Sequence, residues 1–150
     1  MRNYQIAASQ RGFSLISVLI WLVIIIFIVW HALKFVNAFY INSKVQTLFE
    51  GVAVNLHDES KVRNSLPKLL SLNYITSEDL PAQFFDELQV IQHEQGIEVS
   101  SYYEKTIWVF GPVEAVDAQG DYDPKALKGM DVLRYRAHIV LHFSPHAGAE

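Results

Sequence analysis

Residues 13–30 read FSLISVLIWLVIIIFIVW, and they hold no charged side chain. Continued to residue 36, this apolar run covers about 36 Å as a helix, more than the roughly 30 Å hydrocarbon core of a bilayer. Its β-branched residues are compatible with a helix in lipid, because lipid offers the backbone no other hydrogen-bonding partner. A helix in the core of a soluble protein seldom runs this far without a charge. The stretch therefore predicts a transmembrane helix over residues 13–36.

The charges that flank this helix predict its orientation. Arg2 and Arg11 precede it without any acidic residue, and basic residues are retained in the cytoplasm. Trp30 and Lys34 fit the far interface, where amphipathic rings and a snorkelling ammonium are favoured. We therefore expect a cytoplasmic head over residues 1–12 and a domain on the other side. A cleavable secretory signal is the alternative, but the apolar stretch exceeds the usual length of about 7 to 15 residues and no A-x-A site follows it.

The composition of the remainder predicts one small domain. Of the 150 residues, about 90 to 110 remain for it, near the usual size of an independent fold. All 16 acidic residues and all but two of the 12 basic residues follow residue 12. No basic face for nucleic acid is therefore expected. The chain has no cysteine, so the stability of the domain must come from its core rather than from disulfides.

Helical spacing continues beyond the membrane. Residues 37–57 repeat apolar side chains at intervals of three and four, which predicts an extension of the same helix. The apolar positions are Ala38, Ile41, Val45, Leu48, Phe49, Val52 and Leu56. Asp58 or Ser60 then suits the N-terminus of a second helix, which Pro67 is expected to kink or end.

The apolar period changes to two in the second half of the chain. Apolar and polar residues alternate over residues 88–93 and 97–104, on either side of Gln95 and Gly96. Two such runs around a glycine-containing turn are typical of a β-hairpin. Residues 106–110 either extend the second strand or form a third.

The clearest alternation predicts a last strand over residues 133–143. Its odd-numbered residues would face the core, and its arginines, His138 and His142 would mostly face solvent. Residues 111–131, here called the acidic loop, contain two prolines and several acidic residues and are predicted to be irregular. The fold class is α+β: a long N-terminal transmembrane helix extends into a domain, residues 58–150, with one or two short helices and an antiparallel sheet.

The acidic loop holds a candidate metal site. Asp117, Asp121 and Asp123 lie close together in the sequence beside Gly120, and clustered carboxylates are the ligands that calcium prefers. Their spacing lacks the EF-hand pattern. A solvated acidic loop is therefore favoured over a calcium site.

Three histidines near the last strand repeat every four residues. His138, His142 and His146 would share one face of a helix, but four residues span about 13 Å along a strand, too far for two of them to share one ion.

The sequence also lacks cysteine, a G-x-S-x-G motif and a P-loop. Neither an enzymatic activity nor a cofactor is predicted.

The segment before the membrane helix carries a short motif. A basic leader ends in Gly12, and Phe13 then opens the apolar run. This arrangement resembles the start of type IV pilins and type II secretion pseudopilins. The resemblance implies cleavage by a prepilin peptidase between Gly12 and Phe13. In that family the fifth mature residue is normally a glutamate that pairs with a neighbouring subunit's N-terminal amine, and here Ser17 occupies this position.

A second resemblance extends over residues 11–104 and the last strand. It is carried by the pilin-like anchor without its glutamate, Lys61-Val62-Arg63, residues 66–72, Ile75, Asp79, the strand 88–94 and Tyr103-Glu104. These features resemble the DUF4845 family of proteobacterial single-pass envelope proteins, and residues 111–130 depart from the family as an insertion. Members of that family are often encoded beside signal peptidase I.

The two resemblances imply two alternative functions. The first is a non-enzymatic protein of the bacterial inner membrane that acts by protein-protein interaction, with signal peptidase I as a candidate partner. Its domain would lie in the periplasm. The alternative is a minor pilin or pseudopilin, cleaved after Gly12, with pilus or secretion subunits as partners.

Overall fold

The structure, a computed structural model, describes residues 14–148 and confirms the α+β class. Its elements are α1 (Leu15–Asn55), α2 (Glu59–Leu72), α3 (Ala82–Asp86), β1 (Gln89–His93), β2 (Gly96–Ser100), β3 (Tyr103–Trp108), α4 (Met130–Arg136), β4 (His138–Phe143) and β5 (His146–Ala147). The chain divides into two compact units, one ending at Leu33 and the other beginning at Lys34.

The first unit is the apolar part of α1. It is long and apolar enough to cross a membrane, and none of the span is buried inside the protein. Trp21, Ile25 and Trp30 are each more than half exposed. A helix that leaves such residues without protein cover is compatible with a single transmembrane span.

The second unit begins with the rest of α1, and the predicted extension is confirmed. Val45 and Phe49 are fully buried, and Ala38, Ile41 and Val52 are nearly so. The helix ends at Asn55, two residues before the predicted end. Leu48 and Leu56, the other apolar positions of the predicted face, are only partly buried.

Helix α2 follows α1 after a short connection. Asp58 is its N-cap, because the Asp58 carboxylate accepts a hydrogen bond of 2.9 Å from the Ser60 N–H. Val62 and Leu66 are fully buried on one face. Pro67 does not end the helix, which continues to Leu72.

The predicted antiparallel pairing is confirmed, but it is divided between two sheets. β1 and β2 form the predicted hairpin, with His93 opposite Gly96, and β5 pairs with β2. β3 pairs with β4 in a second sheet. The alternation over residues 97–104 therefore belongs to two strands rather than one. The chain leaves β2 at buried Ser101, whose hydroxyl donates to the Phe84 carbonyl at 2.6 Å.

The predicted strand over residues 133–143 was wrong in its first half. Met130–Arg136 is helix α4, and the strand begins at His138. The Asp131 carboxylate accepts hydrogen bonds from the Glu114 and Ala115 N–H groups, both at 3.1 Å, which join α4 to the acidic loop. The predicted inward face is only partly correct, because Phe143 is buried and Leu141 packs against the core, whereas Leu133 and Ile139 are exposed.

The C-terminal strand is held against α1 by one side-chain amide. Gln46 Nε2 donates to the His146 carbonyl at 2.7 Å, and Gln46 Oε1 accepts from the His146 N–H at 3.0 Å. Gly148 follows with a φ of 138°, and a Cβ there would lie 2.4 Å from the Glu98 Cα. Only glycine therefore allows this approach of the backbones.

The core of the second unit is aromatic at its centre. Phe84 of α3 is fully buried and contacts Phe49 of α1 and Tyr103 of β3, with ring centroids 6.0 and 5.6 Å apart. The Tyr103 hydroxyl donates to Asn42 Oδ1 at 3.3 Å. Burial raises the pKa of Tyr103 to about 12, so this phenol stays neutral at physiological pH.

Candidate functional site

An apolar groove lies between α1 and α2 in the second unit. It encloses about 600 Å³. Its lining residues are Tyr40, Ser43, Lys44, Thr47, Leu48, Gly51, Val52, Asn55, Leu56, Ser65, Leu69 and Asn73. The groove exists because Leu48, Leu56 and Leu69 pack against the core only in part, so each side chain leaves an apolar edge open to solvent.

One end of the groove carries a positive charge. Lys44 Nζ lies 4.8 Å from the centroid of the Tyr40 ring and donates to the Asn73 carbonyl at 3.0 Å. Of the described residues that line the groove, Lys44 alone is charged. An ammonium has three donors. The groove therefore offers an apolar floor with one cationic group at its end.

Gly51 forms part of the groove wall. A glycine inside a helix destabilises it by roughly 0.5–1 kcal/mol relative to alanine. A Cβ on Gly51 would meet no atom within 4 Å, and this residue does not require a positive φ. Packing within the described chain therefore gives no reason for glycine at this position. Ser43 and Thr47 precede it at intervals of four, so small side chains follow one another along this side of α1.

Two of the three aspartates of the predicted calcium site accept hydrogen bonds from backbone N–H groups in turns. Asp117 Oδ1 accepts the N–H groups of Gln119 at 2.9 Å and Asp121 at 2.8 Å. Asp123 Oδ1 accepts the Lys125 N–H at 2.9 Å. Within residues 14–148, no group of three or more histidine, aspartate or glutamate side chains has the arrangement of a metal site.

The other predicted site residues lie at the start of the chain. Ser17 lies in the first turns of α1. Gly12 and Phe13, the predicted processing site, lie outside the described residues.

The sequence did not indicate a cluster of polar side chains on the first sheet. Glu98 of β2 accepts hydrogen bonds from His93 Nε2 at 3.0 Å and from His146 Nε2 at 3.1 Å, one on each carboxylate oxygen. The hydrogen bond from His93, followed by that from His146, lowers the pKa of Glu98. The cluster joins all three strands of this sheet, β1, β2 and β5. The histidines at 93 and 146 are far apart in sequence, so no spacing rule could relate them.

His138 and His142 lie on β4 without sharing a ligand site. His142 is exposed and contacts Tyr102 and Glu104, consistent with a solvent-facing strand position. His138 packs between aromatic rings, 5.1 Å from Trp108 and 5.1 Å from Tyr135. Its predicted solvent-facing orientation is only partly correct, because the residue is only partly exposed.

No protein-family model, curated protein or solved structure matches this chain. The resemblances to pilin-like subunits and to the DUF4845 family therefore stay predictions from the sequence. The α1–α2 groove combines an open apolar floor with one lysine and a glycine that no intramolecular contact requires.

Proposed function

We propose that this protein is a non-enzymatic, membrane-anchored binding protein of the bacterial inner membrane. Its second unit lies in the periplasm and holds an apolar segment of another inner-membrane protein in the groove between α1 and α2. Gly51 is the observation on which this proposal depends. A helix glycine that no intramolecular contact requires is expected where another backbone approaches closely.

The occupant that best fits the groove is a helix with one acidic side chain. Small residues at intervals of four allow two helices to approach closely. The floor formed by Leu48, Leu56 and Leu69 suits an apolar helix face. Lys44 would pair with the acidic residue and fix the direction in which the helix lies.

Signal peptidase I is the named candidate partner. The support for this choice is the sequence resemblance to a family often encoded beside it. A membrane-embedded partner would also share the bilayer with α1, which raises the local concentration of each protein for the other.

Site-specific photo-crosslinking in living cells tests the proposal. A photoreactive residue in place of Thr47, inside the groove, is expected to give one discrete adduct with an inner-membrane protein. The same residue in place of Asn64, on the exposed side of α2, is the control and should not give it. The adduct must disappear when Gly51→Phe fills the groove. Persistence of the same adduct in that variant would refute the proposal.

A charge-reversal pair tests the role of the lysine. Lys44→Glu should weaken the adduct strongly, because it places like charges together. Lys68→Glu makes the same change of charge on α2, outside the groove, and should leave the adduct unchanged. Equal effects of the two variants would show that general charge, rather than a pairing at Lys44, governs binding.

A minor pilin or pseudopilin is the second candidate function. One observation favours it: α1 runs without interruption from Leu15 to Asn55, and its later part packs on antiparallel strands. This candidate requires removal of residues 1–12. Because Ser17 cannot supply the charge of the missing glutamate, we expect the head to be retained. Intact-mass measurement of protein from its native membrane decides between them, since a chain beginning at Phe13 would make the pilin candidate the better one.

A further inference from the structure

Four aromatic rings cluster around the end of the β3–β4 sheet. Trp108 lies 6.1 Å from Tyr122 and 5.1 Å from His138, and Tyr135 lies 5.8 Å from Tyr122. All four side chains are only partly buried. Tryptophan and tyrosine side chains with one covered and one wet side are typical of the boundary between lipid and water.

Two lysines lie beside this aromatic cluster. Lys34 Nζ donates to the Trp108 carbonyl at 3.4 Å. Lys34 and Lys105 together line an open recess of about 280 Å³, with Asn37 and Trp108. Lys105 Nζ donates to the carbonyls of Glu78 and Asp79, which leaves one of its three N–H groups for another acceptor.

The recess is positively charged, whereas the chain as a whole is negative. No acidic side chain is among the described residues that line it, although the chain carries 16 acidic residues and a formal charge of −4. Two lysines and an asparagine that line one recess offer donors complementary to a phosphate group.

Two exposed apolar side chains follow the ring-bearing residues in sequence. Phe110 and Ile139 are 47% and 42% exposed, and they follow Trp108 and His138 closely in sequence. The sequence also places Lys34 at the far end of the predicted transmembrane span. The end of the second unit that carries Lys34 is therefore the one nearest to lipid along the chain.

From these observations we propose that the recess between Lys34 and Lys105 binds the phosphate headgroup of an anionic phospholipid in the bilayer that anchors the chain. The aromatic cluster lies at the headgroup level, and the exposed apolar side chains contact the acyl boundary. This surface is separate from the α1–α2 groove, so the inference does not depend on the proposed partner.

Fluorescence quenching in nanodiscs tests the inference with the full chain. Trp21→Phe and Trp30→Phe leave Trp108 as the single tryptophan. Spin labels placed near the lipid headgroup should quench its emission about twofold or more when the nanodisc contains phosphatidylglycerol. The control moves the reporter to Val54, an exposed residue near the other end of the domain part of α1, as Val54→Trp with all three native tryptophans replaced by phenylalanine. Quenching no stronger for Trp108 than for this control would overturn the inference.

A second measurement tests the two lysines. Each ammonium near an anionic surface strengthens binding roughly fivefold, so Lys34→Gln with Lys105→Gln should weaken docking on the order of thirtyfold and remove most of the quenching. Lys61→Gln with Lys68→Gln removes the same charge from α2 and should have little effect. Nanodiscs of phosphatidylcholine alone should give weak quenching for every variant. If the quenching depends on neither the lysines nor the anionic lipid, the recess is not a headgroup site. The Gly51→Phe variant should dock normally, which separates this inference from the proposed partner binding.

Discussion

Gly51→Ala is expected to stabilise the protein and to weaken the proposed binding in the groove at the same time. The added methyl group meets no atom within 4 Å, so no clash opposes the gain in helix propensity. That gain is roughly 0.5–1 kcal/mol, since glycine loses more conformational freedom on folding than alanine does. For a domain of this size it corresponds to an increase of about 2 to 6 °C in the melting temperature.

The assay has two readouts for each variant, one on the purified full-length protein and one in living cells. Thermal unfolding in mild detergent, followed by near-ultraviolet circular dichroism, measures the stability of the second unit. The photo-crosslinking yield from Thr47 measures occupation of the groove, and it should fall progressively from glycine to alanine to phenylalanine at position 51. A lower melting temperature for Gly51→Ala would refute the geometric reasoning. A higher melting temperature with unchanged crosslinking would leave the glycine without a binding role.

Four further outcomes are expected, the first two from the structure and the last two from the sequence. Phe84→Ala should cost about 3–5 kcal/mol by removing a fully buried ring at the centre of the core, and unfolding midpoints in denaturant measure the loss. The pKa of Asp131 is lowered by the hydrogen bond from the Glu114 N–H, and further by those from the Ala115 N–H and the Arg134 side chain. The Asp131 carboxylate therefore contributes fully to the free energy of unfolding above the ordinary carboxyl pKa of about 4, and this contribution is lost as the pH falls through the lowered folded value. Asp131→Asn should flatten this part of a profile of stability against pH. A reporter active only outside the cytoplasm should work when fused after Phe143, whereas activity of only a cytoplasmic reporter there would reverse the orientation. Millimolar calcium should leave the melting temperature nearly unchanged, and a chelator-reversible rise of several degrees would show that the acidic loop binds the ion.

Patterns among neighbouring residues were sufficient to predict the elements whose structure depends on local spacing. The buried face of α1 follows from apolar spacing, and Val45 and Phe49 lie where that spacing places them. The β1–β2 hairpin follows from two alternating runs around Gly96. The cap at Asp58 follows from its position before an amphipathic segment. Each of these features depends on residues within a few positions of one another.

Long-range contacts explain the errors. Residues 133–136 alternate as a strand would, yet Asp131 bonds to the backbone of Glu114 and Ala115, and these bonds hold a helix there. The change of sheet at Ser101 depends on its bond to the Phe84 carbonyl, which no alternation reveals.

The sequence did not predict the α1–α2 groove or the recess between Lys34 and Lys105. Leu48, Leu56 and Leu69 have the spacing of core residues, and only the packing of α2 leaves them partly open. The glycine at 51 within a helical pattern was the one available signal for the groove. Lys34 and Lys105 are far apart along the chain, so the recess that they line could be found only once β3 was placed.

The bond between Gln46 and His146 determines when the fold can be completed during synthesis. The two residues are 100 positions apart, and the second lies almost at the end of the described chain. If the domain crosses the bilayer during synthesis, α1 is available long before β5 emerges. Until then, the edge of β2 that later pairs with β5 stays open, and an open edge can pair with other chains. The pairing of β5 with β2 therefore covers this edge, and a chain truncated before His146 should be prone to aggregation.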